Sequence, residues 1–141
     1  MDRIKSHQIS KKQKQKIAEK ITAVLSQRPE IVFAFLHGSF IHEARFRDID
    51  LGIFVRGIDH SEYWDYEDNL CQKIENVLHS SFLIEVKVIN EAPLSFCFHV
   101  IMGKLLFTQD EDFLVDFMIS TARDYLDMSP LRQRYITEAM A

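Results

Sequence analysis

Cysteine is scarce: Cys71 and Cys97 are the only two, far apart and without CxxC or Cys/His zinc spacing. That excludes a disulfide framework and a structural zinc. Both thiols are expected to pack as small apolar groups in a reducing cytoplasm. Glycine and proline are scarce too, at 4 and 3 in 141 residues, which excludes low-complexity sequence and long loose linkers. No apolar run approaches the roughly 20 residues needed to cross a bilayer, and the Lys-rich start lacks the apolar stretch of a signal peptide. We therefore expect a cytoplasmic protein with no membrane association. What is present is ordinary globular sequence, 47% hydrophobic and 27% charged, the size of one domain spanning residues 1–141.

The net charge of −4 is unevenly spread. Residues 1–28 carry eight Lys/Arg against two acids, and the rest carries nine against nineteen. A basic arm on an acidic body can touch RNA or an acidic partner. Without interleaved aromatics, however, the stripe reads as a solvated helix face, and a nucleic-acid partner is not expected.

Residues 1–9 read as loose. Ser10 is a plausible N-cap for a helix to about Gln27, with Ile17, Ile21, Val24 and Leu25 on one face. Ile31 to His37 is apolar on both faces and reads as a central strand. Gly38 and Ser39 break it, and a polar loop runs to Arg47. Asp48 to Val55 alternates: Ile49, Leu51, Ile53 and Val55 point one way, Asp48, Asp50, Gly52 and Phe54 the other. A helix over 61–79, a strand over 82–90, a helix over 93–102 and a short strand over 105–107 follow. A helix over 111–126 comes next, and a last helix is expected after Pro130. This order predicts an α/β (α+β) fold, a small mixed β-sheet with helices on one face.

Asp48 and Asp50, two apart on a strand, project from the same face. The apolar face must take the helices, so the carboxylates open onto a cleft. Like charges this close repel, and a divalent cation relieves them. Magnesium takes oxygen ligands and keeps places for water and phosphate. Glu85, on the polar face of its own strand, is the candidate third ligand if the two strands are neighbours. Gly38 and Ser39 form a turn where backbone N–H groups and a hydroxyl can hold a phosphate. Arg45 and Arg47 are candidate phosphate clamps. Two metals on three carboxylates can activate an incoming hydroxyl and stabilise a pyrophosphate leaving group.

The segment LHGSFIHEARFRDIDLGIFV resembles the active-site signature of the polymerase-β-like nucleotidyltransferases, and within them the minimal nucleotidyltransferase (MNT) group. Gly38 and Ser39 match the phosphate-binding turn, Asp48 and Asp50 the metal-binding pair, and Glu85 the third acid, more often Asp. Asn90-Glu91-Ala92-Pro93, the strand around Leu105 and the segment Tyr125-Leu126-Asp127 continue the likeness, over roughly residues 12–140. The loop of eight residues between Ser39 and Asp48 is shorter than usual, and Phe40 stands where many members carry Arg. The resemblance implies a nucleotidyltransferase fold and two Mg2+ ions when nucleotide is bound. It also implies transfer of a nucleoside monophosphate, AMP from ATP, to a hydroxyl acceptor. Many MNT proteins are antitoxins that adenylylate a HEPN-type partner toxin.

Other readings stand beside these. The chain could be a non-catalytic antitoxin or scaffold that neutralises its partner by contact, with a degenerate nucleotide site. Transfer to a small molecule such as an aminoglycoside is weaker, since such enzymes usually carry a further helical domain, and RNA tailing is weaker still. His37 reads first as a packed strand-end histidine and second as a phosphate or base contact. Tyr63, Trp64 and Tyr66 read as helix packing before base stacking. Glu85 with Lys87 could be a surface charge pair. The apolar stripe of residues 113–126 is core or partner surface, including a homo-oligomer contact.

Overall fold

Strand β1, Ile31–His37, is buried along its whole length because it pairs on both sides and is covered on both faces. The computed structural model describes residues 6–79 and 82–128, together with Arg134, Thr137 and Glu138. The elements in chain order are α1 (Lys11–Leu25), β1, α2 (Ser39–His42), β2 (Asp48–Val55), α3 (Tyr63–Leu78), β3 (Leu83–Val88), α4 (Leu94–Ile101), β4 (Lys104–Thr108) and α5 (Glu111–Met128). A 3-10 turn over His60–Glu62 leads into α3. The sheet order is β3-β2-β1-β4, with β1 antiparallel to both neighbours and β2 parallel to β3. That parallel pair requires a crossover, which α3 supplies.

Local chemistry explains the ends. Ser10 caps α1 in a reciprocal box with Gln13, each side chain bonded to the other's backbone N–H. The helix stops at Leu25, two residues before the expected Gln27. Ser39 and the first three residues of the expected polar loop wind instead into α2. Its Phe40 is buried against Phe46. The segment read as loose is tied down at His7, whose N–H donates to Phe46 O and whose carbonyl accepts from Phe46 N–H. The helix expected after Pro130 lies outside the described residues except at the three named positions.

The first face of the sheet buries Ile49, Leu51 and Ile53 against Ile21 and Leu25 of α1 and Leu70 and Ile74 of α3. The expectation of helices on one face needs correction, because α4 and α5 cover part of the other. A register shift between Ile31 and Phe33 lets Val32 and Phe33 both face this second core with Phe35, Val100 and Leu114. Rings of Phe113 and Phe117 pack on Phe33 and Phe54. The second face of β2 is thus divided: Gly52 and Phe54 lie under helices, and Asp48 and Asp50 are left open. Sequence alternation had correctly separated the two faces but carried no sign of this division. On α5 the apolar stripe is likewise split, with Leu114 buried and Ile119 57% exposed.

Beyond the end of β3, Asn90 extends the ladder with its side chain. Its Oδ1 accepts from Val55 N–H at 3.0 Å and its Nδ2 donates to Val55 O at 2.6 Å. No helix among the described residues is long and apolar enough to cross a membrane. Both cysteines are free, and burial pushes both thiols up from their ordinary value.

Gly52 makes the covered half possible, since a Cβ there would lie 2.6 Å from Val100 Cγ1 of α4. Gly52→Ala is expected to cost about 1–3 kcal/mol by overpacking, read as a lower midpoint in urea unfolding. An unchanged midpoint would show that α4 does not seat on β2 this way.

Candidate active site

The parallel pairing of β2 with β3 sets Asp50 directly opposite Glu85, and residues opposite each other share a face. Asp48 lies one step back along that face. One ligand oxygen from each of the three carboxylates falls within 4.8 Å of the others. Asp48 and Asp50 are half-buried, while Glu85, on an edge strand, is exposed. The condition that the two strands be neighbours is met.

The end of β1 completes the arrangement. His37 pairs with Asp50, and Gly38 follows with φ +79°. A side chain at Gly38 would collide with Asp50 Oδ2 and would also be strained at that φ, so only glycine fits. Ser39 opens α2, half-buried beside the turn. Lys14 of α1 holds α2 in place by donating to Phe40 O at 2.7 Å and Glu43 O at 2.9 Å, its ammonium over the rings of Phe40 and Phe46. That role was not legible in the sequence, where Lys14 is one of a run of lysines.

Burial first, then the charges of Glu85 and Asp48 and a hydrogen bond with Glu85, push the Asp50 carboxyl up to about 6. Among the described residues no ion pair neutralises the three acids. A set of three carboxylates offers hard oxygen donors only, and a divalent cation bound there would replace the proton as the charge that keeps them together. These residues fit such an ion.

Beside the acids lies a cavity of about 200 Å3, lined by His37, Asp50, Glu85, Lys87, Phe96 and His99 among others. His37 is 5% exposed and neither ring nitrogen has a hydrogen-bond partner. Its ring meets Phe96 and His99 edge-on at 5.5 and 5.2 Å. Burial, then His99 and His42, lower its pKa to about 4, so the imidazole is neutral near pH 7. The packed strand-end reading of His37 therefore holds, on the wall of the site. Phe96 and His99 of α4 carried no sequence signal, because helical spacing alone cannot say which side chains overhang the open half of the sheet.

Arg45 Nη1 donates to Ser6 Oγ at 3.0 Å, and Arg47 is exposed just before β2. Neither is among the residues that line the acid cavity.

The glycine turn, the paired aspartates on β2 and the third acid on the adjacent parallel strand thus meet at one place. The family described as "Polymerase beta, Nucleotidyltransferase" matches residues 19–112, well over half of the chain, and the chain belongs to that family. It is a nucleotidyltransferase. More particularly, its fold is that of chains in toxin–antitoxin complexes. One is the tri-AMPylated Shewanella oneidensis HEPN toxin with its MNT antitoxin: TM-score 0.61, 24% identity, 91% of this chain and 99% of that one. A toxin–antitoxin structure with AMP-PNP gives 0.62 at 24% identity, over 88% and 98% of the two chains. The MntA–HepT toxin–antitoxin structure gives 0.58 at 24%, over 90% and 99%. No curated protein matches the chain.

The raised Asp50 value sets a pH dependence. A carboxyl near 6 when folded and near 3.8 when unfolded stabilises the metal-free fold below about 3.8, and that contribution is lost as pH rises through about 6. We expect the metal-free melting temperature to fall across that window, and Asp50→Asn to flatten this part of the profile. A wild-type profile unchanged by the substitution would refute the assignment.

Proposed function

We propose that this nucleotidyltransferase moves AMP from ATP, with Mg2+, onto a hydroxyl of a HEPN-type partner toxin and thereby acts as its antitoxin. The observation that carries the reading is the carboxylate triad built on the Asp50–Glu85 rung, with Gly38 packed against Asp50. Asp48, Asp50 and Glu85 would hold the magnesium, whose charge, when bound, offsets that of the carboxylates and the triphosphate. The Gly38–Ser39 turn donates backbone N–H groups and the Ser39 hydroxyl to the terminal phosphates. The acceptor oxygen bonds to the α-phosphorus as the bond to the bridging oxygen of the leaving group breaks. Pyrophosphate departs with that electron pair, and the acceptor's proton passes to a carboxylate of the triad.

Two further observations support the partner and the nucleotide. The similar folds include one in a complex with an AMPylated HEPN toxin and one with AMP-PNP. Free Cys71 and Cys97 suit a reducing cytoplasm.

The test is transfer of label from α-labelled ATP to a HEPN-type partner protein. Wild type should label it in magnesium and stop on chelation. Asp48→Asn and Asp50→Asn should each lower the rate by about 10²-fold or more while circular dichroism stays unchanged. Undiminished labelling by both variants would sink the proposal. A wild type that binds the partner and never labels it would instead make the chain a binding module.

A further inference from the structure

We infer that the outward side of α5 is a homodimer interface, where a second copy of this chain lays its own α5 antiparallel across a two-fold axis. The inference is independent of the nucleotide reading above. Two apolar stripes run along α5. Phe113, Leu114, Phe117 and Met118 turn to the second core. The other stripe is Val115, Ile119, Ala122 and Leu126. Its large side chains face outward, 44%, 57% and 51% exposed for Val115, Ile119 and Leu126, with half-buried Ala122 between them. Single exposed apolar residues are ordinary, but a continuous row of them marks a contact surface. The row is about 17 Å long. Its 4-3-4 spacing is that of a seam along which two helices pack knobs into holes.

Laid against itself, the seam is complementary in one orientation. With the axis between Ser120 and Thr121, Val115 of one copy meets Leu126 of the other, and Ile119 meets Ala122. Each contact occurs twice, as a two-fold interface requires. The small Ala122 opposite Ile119 lets the helices approach closely. Along one side of the seam, Asp116 of one copy stands opposite Arg123 of the other; along the other side, Met118 stands opposite Tyr125. Arg123 is engaged in its own chain only by an exposed pairing, its Nε 3.6 Å from Asp124 Oδ1. Parallel pairing would set Arg123 beside Met118 and leave Asp116 without an opposite charge. Antiparallel helices also oppose their macrodipoles favourably.

This placement leaves the chemistry free. Phe98 of α4 stacks on Tyr125 of α5 at 4.1 Å, while Phe96 and His99 of α4 line the acid cavity. None of the four seam residues is among those lining that cavity, so both clefts of the dimer stay open. Two helices meeting over this length bury less than roughly 1,200 Å2, the small end of specific interfaces. The dimer is therefore expected to dissociate in the micromolar range.

The test is sedimentation velocity of the full chain over a range of concentrations, with circular dichroism as the check on folding. Wild type should pass from monomer to dimer as concentration rises. Ile119→Asp, at an exposed position that leaves the core intact, should raise the dissociation constant about 100-fold or more by burying unpaired charge. Asp116→Arg should weaken the dimer several-fold, and adding Arg123→Asp, which exchanges the two charges, should restore most of the loss. A wild type monomeric to about 0.5 mM overturns the inference, and leaves the seam to a HEPN-type partner if Ile119→Asp then abolishes that complex. A dimer undisturbed by Ile119→Asp lies on another face and overturns it equally. An Asp116→Arg effect that is absent, or that the exchange fails to restore, overturns the antiparallel register.

Discussion

Three carboxylates on one face of two adjacent strands repel one another, and the rest of the architecture is organised around holding them there. Asp50 and Glu85 share a rung, Asp48 stands one step away, and burial first, then these neighbouring charges, push the carboxyl of Asp50 up to about 6. The backbone cannot relax to separate them, because the opposite face of β2 is locked by Ile49, Leu51 and Ile53 in a core with α1 and α3. Gly38 gives Asp50 the space it occupies, and Lys14 fixes the short helix that carries the turn. A site that is costly when empty of cations is ready to bind them, since each bound charge relieves repulsion already present.

The second face of the sheet shows how a small domain makes a core and a cleft from the same surface. Its far half is apolar, Phe33, Phe35 and Phe54, and α4 and α5 close over it. Gly52 marks the boundary: without a side chain it lets Val100 come close, and the next outward residue toward the start of the strand is Asp50. The cleft therefore has one wall of sheet and one of helix. The helix wall brings Phe96 and His99 over the acids and sets a neutral, buried His37 beneath them.

Much of this was readable from particular residues. The alternation from Asp48 to Val55 separated acids from core, the Ser10 cap marked a helix start, and the Gly-Ser break after an apolar run marked the turn. Other parts were not. The short helix α2 depends on Phe40 burying against Phe46, a tertiary contact with no local pattern. The hydrogen bond from Arg45 to Ser6 likewise depends on how the intervening residues coil. Helices on the second face were missed because period-two alternation reports which side a residue takes, not what lies there.

The sequence by itself determined the identity of every strand and of the long helices, the face each acid takes and the place of the turn, because all of these follow from spacing within a few residues. Tertiary structure alone decided that β3 pairs with β2 in parallel and in the register that sets Glu85 beside Asp50. That register is the outcome of α3 packing its apolar side under both strands. A one-residue slip would have turned Glu85 into the core and Ile84 toward the cleft. The cost of burying that charge is what excludes the slip.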